Sequence, residues 1–142
     1  METVFARLNQ HQNDMKYNPP LAESVAREWE GRIPAPLLEL YRFFNGGELF
    51  VPGTLIFGLT GAKDDLIRFN RSEARRIFDI PESYLVFAQL NFGDFICINS
   101  EEPFDLIQWD HETNEAFNEW GSLKEWLTEA IEDYETYLED VN

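Results

Sequence analysis

The sequence predicts an α+β fold in which N-terminal helices precede a central antiparallel sheet and a C-terminal amphipathic helix packs on that sheet. Three observations carry this reading. Apolar residues recur at helical spacing in residues 1–46 and again after residue 121. Between them lie short strand-like runs joined by turns too brief for the crossover that parallel pairing needs. The last segment opens on a capping box and carries an apolar stripe about four turns long, which has to be buried against another layer.

The first helix is set by Val4, Phe5 and Leu8, and the polar run His11-Gln12-Asn13-Asp14 ends it. Asn18 is placed to cap a second helix, with Pro19 in its first turn, where a missing N–H needs no partner. Leu21, Val25 and Trp29 follow four apart on one face, and Gly31 closes that segment. A third helix starts at Pro34-Ala35-Pro36 and buries Leu37, Leu40, Tyr41 and Phe44. Asn45-Gly46-Gly47 stops it, because glycine adopts the left-handed C-cap conformation without penalty.

Residues 48–121 read mostly as strand. Runs at 49–51 and 54–59 flank Pro52-Gly53, a turn pair in which proline presets φ and glycine supplies positive φ. A helix over about residues 64–78 interrupts them, with Leu66, Asn70, Ala74 and Ile77 facing inward and Arg68, Arg71 and Arg75 sharing another face. The clearest strand, 84–90, is joined to 95–98 by Asn91-Phe92-Gly93-Asp94, a hairpin loop with glycine at the bulge position. Strands at 104–109 and 116–120 flank the polar turn Asp110-His111-Glu112-Thr113-Asn114. Ser122-Leu123-Lys124-Glu125 then caps the last helix, whose stripe runs Leu123, Trp126, Leu127, Ala130, Ile131, Tyr134, Tyr137 and Leu138. Glu139 and Asp140 oppose the dipole at its C-terminal end.

A chain of 142 residues fits one domain, 1–142, and buries enough surface to fold without staples. Apolar content of 44% with 15% aromatics excludes a disordered acidic chain. The single cysteine, Cys97, excludes an internal disulfide and a cysteine-based zinc site, and within Phe95-Ile96-Cys97-Ile98 it reads as a small buried hydrophobe. No apolar run is long enough to span a bilayer, and the first residues lack the layout of a signal peptide, so a soluble cytoplasmic protein is expected.

Charge is distributed unevenly. Residues 99–142 hold 14 acids against Lys124 alone, whereas residues 1–98 hold 13 acids and 10 bases, within a net charge of −16. Such a surface repels phosphate backbones and attracts basic proteins, so nucleic acid is not an expected partner. The plain alternative is that the acids keep the chain soluble.

Residues for catalysis do not assemble in sequence. His11 and His111 lie far apart, and Trp109-Asp110-His111-Glu112 reads as a polar turn, not as half of a zinc site. Carboxylates are too many for spacing to single out a glycosidase-like pair. The glycines, Gly46, Gly47, Gly53, Gly58 and Gly61, form no phosphate loop, and no serine has a nucleophile-elbow setting. No catalytic residue, metal ligand or cofactor is therefore expected. Arg68, Arg71, Arg75 and Arg76 are expected to pair with the surplus acids, and Trp29, Trp109, Trp120 and Trp126 to join the core.

The order of these features resembles the SUKH superfamily, which includes fungal cell-wall-assembly regulators of the Smi/Knr type and many bacterial proteins. The likeness rests on the proline-started helix from Ile33 to Asn45-Gly46-Gly47, on Ile56-Phe57-Gly58-Leu59, on the hairpin from Leu85-Val86-Phe87-Ala88 through Gly93-Asp94-Phe95-Ile96-Cys97-Ile98, on Ile107-Gln108-Trp109-Asp110-His111-Glu112, and on the helix headed by Ser122. It spans roughly residues 20–138. The resemblance implies a SUKH-like fold and a non-catalytic immunity protein that binds and blocks a toxin, commonly a nuclease with a basic groove. By charge, the contact candidates are Glu101, Glu102 and Asp105, then Asp110, Glu112 and Glu115, and on the last helix Glu129, Glu132 and Asp133. Two other readings stay open: an interaction scaffold or regulator like the fungal members, and a hydrolase using a carboxylate pair among residues such as Asp94, Asp110 and Glu112.

Overall fold

The computed structural model describes residues 1–50, 53–59 and 65–141. Val51 and Pro52 of the first predicted turn, Gly61, and the predicted start of the fourth helix at Asp64 lie outside the described residues. In chain order the elements are α1 (Glu2–Gln10), a 3-10 turn (Gln12–Asp14), β1 (Lys16–Tyr17), α2 (Glu23–Trp29), α3 (Ala35–Phe43), β2 (Gly47–Leu49), β3 (Thr54–Ile56), α4 (Leu66–Ser72), β4 (Tyr84–Gln89), β5 (Phe95–Asn99), β6 (Leu106–Asp110), β7 (Glu115–Trp120) and α5 (Leu123–Val141). Among the described residues the seven strands form one antiparallel sheet in sequence order, the meander that short connections impose. The α+β class read from the sequence is the class observed.

The sheet is the middle layer. Successive side chains of a strand point to opposite faces. On β5, Phe95 packs against Phe69 of α4 and Phe78, with ring centroids 5.2 and 4.7 Å apart. Its neighbour Ile96 lies on the other face, under α5. Phe87 of β4 meets Trp126 of α5 edge to face at 5.4 Å. Cover on both sides explains why Phe95 to Ile98 and Leu106 to Trp109 are buried without alternation. One contiguous core joins Val4, Ala26, Leu37, Leu66 and Leu127, so each helix contributes to it.

α5 follows its predicted design. Ser122 Oγ accepts from the Glu125 amide at 3.1 Å, while the Glu125 carboxylate accepts from the Gly121 amide at 2.9 Å, one residue before the position a strict capping box uses. Leu123, Trp126, Leu127 and Ile131 are buried. Further along, the stripe leaves the sheet and turns to α1, and Tyr137 is exposed.

Several predicted boundaries move, each because a distant segment competes. Asn18 and Pro19 do not begin a helix. The amides of Asn18 and Leu21 donate to the carbonyls of Gly46 and Tyr41, and the Pro19 carbonyl accepts from Asn45, so this stretch lies extended along the end of α3 and α2 starts at Glu23. α3 ends at Phe43 with Phe44 extended, not at a glycine cap. Gly46 serves a close approach instead: at φ +78 a Cβ there would stand 2.7 Å from the Gly58 nitrogen and the Ile56 oxygen. β3 ends at Ile56, and α4 ends at Ser72, after which Ala74 is still buried but Ile77 is half exposed. β1 has no signal in the sequence at all.

Candidate partner-binding surface

The antiparallel meander fixes where the acids go. Glu101, Glu102 and Asp105 occupy the β5–β6 connection, while Asp110 ends β6, Glu112 lies in the β6–β7 turn and Glu115 begins β7. These lie at opposite ends of β6, a strand of five residues and therefore roughly 17 Å long. Glu129, Glu132 and Asp133 are exposed on α5, which crosses the sheet from the first end. The structure thus gathers the nine predicted contact residues into three groups of three, not into one patch.

Within each group the carboxylates differ. Glu101, Glu102 and Glu115 are exposed, and no basic side chain among the described residues is within ion-pair distance of them. Asp105 is tied into the fold. The Tyr84 hydroxyl donates to it at 2.7 Å and the Asn99 amide at 3.1 Å, and these donors hold its carboxyl below the usual carboxylate range. Asp110 accepts from the backbone N–H groups of Glu112 and Thr113, which lower it likewise and close the turn. Glu132 is 3.8 Å from the Arg7 guanidinium, and Arg7 pairs more closely with Glu135 at 2.6 Å. His11 also reaches Glu135, at 3.2 Å, and the two donors together hold that carboxyl low.

A groove of about 410 Å³ opens between α5 and the sheet. Ile96, Gln108 and Asn118 are successive register partners across β5, β6 and β7, so they share one face and form its floor. Trp126, Ala130 and Tyr134, each one turn further along α5, look down on them. Ala130 is the short member of the stripe, and the space above the two amide side chains is left open there. Glu129 and Asp133 line the same groove, and the Trp120 indole N–H donates to the Glu129 carboxylate. Phe50 stacks on Tyr134 with centroids 4.4 Å apart, and Phe92 at the β4–β5 turn is 61% exposed.

Sequence reasoning named Glu129 and Asp133 but not this groove. The tryptophans assigned to the core divide in two. Trp109 and Trp126 are buried, whereas Trp120 lines the groove and Trp29 is half-buried, with the Arg32 guanidinium 4.5 Å over its ring. Only the small residue within an otherwise bulky stripe hints at the opening, and spacing alone does not say what faces it.

The residues of Gly93-Asp94 and Asp110-His111 form a latch between two turns. Asp94 is buried and accepts from the Gln108 amide at 3.1 Å, from the His111 backbone N–H at 3.2 Å and from His111 Nδ1 at 2.7 Å. The His111 ring lies against Gly93, where a Cβ would approach its Nε2 to 2.8 Å. The bond to Asp94 favours the imidazolium and raises the His111 pKa. Donor atoms of Asp94, Asp110 and His111 lie within 4.8 Å of one another, a spacing a cation could bridge. Each is already engaged in the hydrogen bonds above, which account for the arrangement without an ion.

The arginine face behaves differently from expectation. Among the described residues Arg68, Arg71 and Arg76 make no ion pair, and Arg75 donates to the Tyr84 carbonyl at 2.7 Å. The reason is placement: α4 covers the face of the sheet opposite α5, away from the acids of that helix. Cys97 is buried, and burial pushes its thiol pKa up, so it is no nucleophile. No helix among the described residues is long and apolar enough to cross a membrane.

A search of the curated proteins finds no match to this sequence. The sequence model of the SMI1 / KNR4 family (SUKH-1) matches residues 23–129, from the first residue of α2 to Glu129 of α5. That span takes in the whole meander from β2 to β7, the Asp94–His111 latch and most of the groove, and leaves out α1 and the end of α5 that pairs with it. With three quarters of its length matched, this chain belongs to the SMI1 / KNR4 family (SUKH-1).

Proposed function

We propose that the protein is a non-catalytic immunity protein of the cytoplasm that binds a toxin with a basic surface, a nuclease being the first candidate, and blocks it. The observation that carries the reading is the set of exposed, unpaired carboxylates in the last third of the chain. Glu101, Glu102, Glu115, Glu119, Asp133, Glu139 and Asp140 all face solvent with no basic partner among the described residues. A nuclease needs a cationic groove for its substrate, and carboxylates spaced over a rigid sheet and helix occupy such a groove as phosphates do. The unscreened field also speeds encounter, which counts when few toxin molecules are lethal.

Membership of the family supports this without requiring it, since a fold carries many functions. Co-expression with the toxin encoded beside the gene tests it. Survival of the host and a complex that co-purifies are expected; a host that dies and a mixture that does not associate would overturn the proposal and favour a regulator without a toxin partner.

A further inference from the structure

We infer that the groove between α5 and the sheet receives an arginine side chain of the protein partner. This rests on the reading that the partner presents a basic surface, and adds where it is gripped and by which group. The groove's volume, about 410 Å³, falls in the range of about 300–1,000 Å³ typical of sites for small groups.

Its lining selects the occupant. Glu129 and Asp133 supply two negative charges one turn apart, and neither has a basic neighbour within ion-pair distance among the described residues. Trp120, Trp126 and Tyr134 supply rings, whose faces attract cations. Gln108, only 8% exposed, gives its Nε2 to Asp94, which turns its amide oxygen into an acceptor that no described donor satisfies. Gln108 lines the groove floor, so this oxygen is open to a donor from outside. Flat, cationic and rich in N–H donors with no acceptor of its own describes a guanidinium. An anion is repelled by the two carboxylates, and an apolar group strips them of water without compensation. An ammonium meets the charge but not the spread of acceptors and rings. The exposed Phe92 at the β4–β5 turn and the open end of the groove suit a side chain delivered by a protein surface.

The test uses the intact protein and short peptides. Acetyl-Gly-Arg-Gly-amide is titrated while the indole N–H resonances of Trp120 and Trp126 are followed by NMR, alongside the neutral citrulline isostere and the lysine peptide. Saturable shifts of both indoles are expected with arginine, with the citrulline peptide at least about tenfold weaker and lysine between them. Glu129→Gln and Asp133→Asn each weaken binding about threefold, whereas Glu28→Gln, on the exposed side of α2, leaves it unchanged. Equal binding of citrulline, or the absence of saturable indole shifts, overturns the inference. Failure here with toxin protection intact removes the groove and leaves the immunity reading; a sound titration without protection does the reverse.

Discussion

Replacing Asp94 by alanine probes the latch that joins the β4–β5 and β6–β7 turns. Asp94 is 5% exposed and accepts three hydrogen bonds, from Gln108 and twice from His111. Bonds to a charged acceptor contribute about 1.5–3 kcal/mol each, but water replaces part of this at the half-exposed His111. The Gln108 amide is left buried with no acceptor, so the total loss is about 2–4 kcal/mol, a large share of the roughly 5–15 kcal/mol by which such chains are stable. With a urea dependence of about 2 kcal/mol/M the midpoint falls by about 1–2 M, readable by tryptophan fluorescence. The pH dependence has a definite sign. Because Asp94 raises the pKa of His111, the stability linked to the imidazolium is fully present below the unfolded histidine value of about 6.5 and is lost as pH rises through the folded one. The gap between wild type and variant is therefore wider at pH 6 than at pH 9. A midpoint change worth less than about 0.5 kcal/mol, or a gap that ignores pH, refutes the latch.

Gly46→Ala and Gly31→Ala form a matched pair, both at φ near +77 and +78, but only at Gly46 does a Cβ meet backbone, at 2.7 Å. Chemical denaturation should show about 1–2 kcal/mol lost at Gly31 from the left-handed conformation alone and clearly more at Gly46. Ile131→Ala empties a fully buried site under α5 and is expected to cost about 2–5 kcal/mol in the same assay. Glu135→Gln weakens the α1–α5 contact at neutral pH. Since Arg7 and His11 hold the Glu135 carboxyl low, that stabilisation is present above the unfolded glutamate value of about 4.3 and fades as pH falls through the folded one, where wild type and variant should converge.

Local patterns in the sequence were enough for α3 and α5, because an apolar stripe and a cap state both the period and the start of a helix. They were not enough for the segment from Asn18 to Leu21, whose partners at Tyr41 and Gly46 lie 20 and 28 residues away and outweigh a proline placed for helix. β1 exists only because it pairs with β2, Lys16 opposite Glu48, and two residues carry no pattern. The same distinction holds for the site. Acidic residues can be counted in the sequence, so the candidates on α5 could be named. Whether Asp105 and Asp110 are free could not, since Tyr84 and the β6–β7 turn claim them through the fold. The groove was hidden for the same reason: its floor is built from β5, β6 and β7 and its wall from α5, and only register brings Gln108 and Asn118 beneath Ala130.

A surface carrying −16 makes opposite demands on the free and the bound protein, and salt separates them. In the free protein unpaired carboxylates repel one another and oppose compaction. Screening shortens their reach from about 10 Å at 0.1 M to about 3 Å at 1 M salt, so sodium chloride should raise the urea midpoint. In the complex proposed above the same charges would attract, and the same salt should weaken association, chiefly by slowing encounter. Burial of apolar surface gives no such pairing of signs. If salt stabilises the free chain but leaves its affinity for the proposed partner untouched, the acids face solvent in that complex and serve solubility alone. If neither responds, the carboxylates are too far apart to act as one field, and the three separated groups described above explain why.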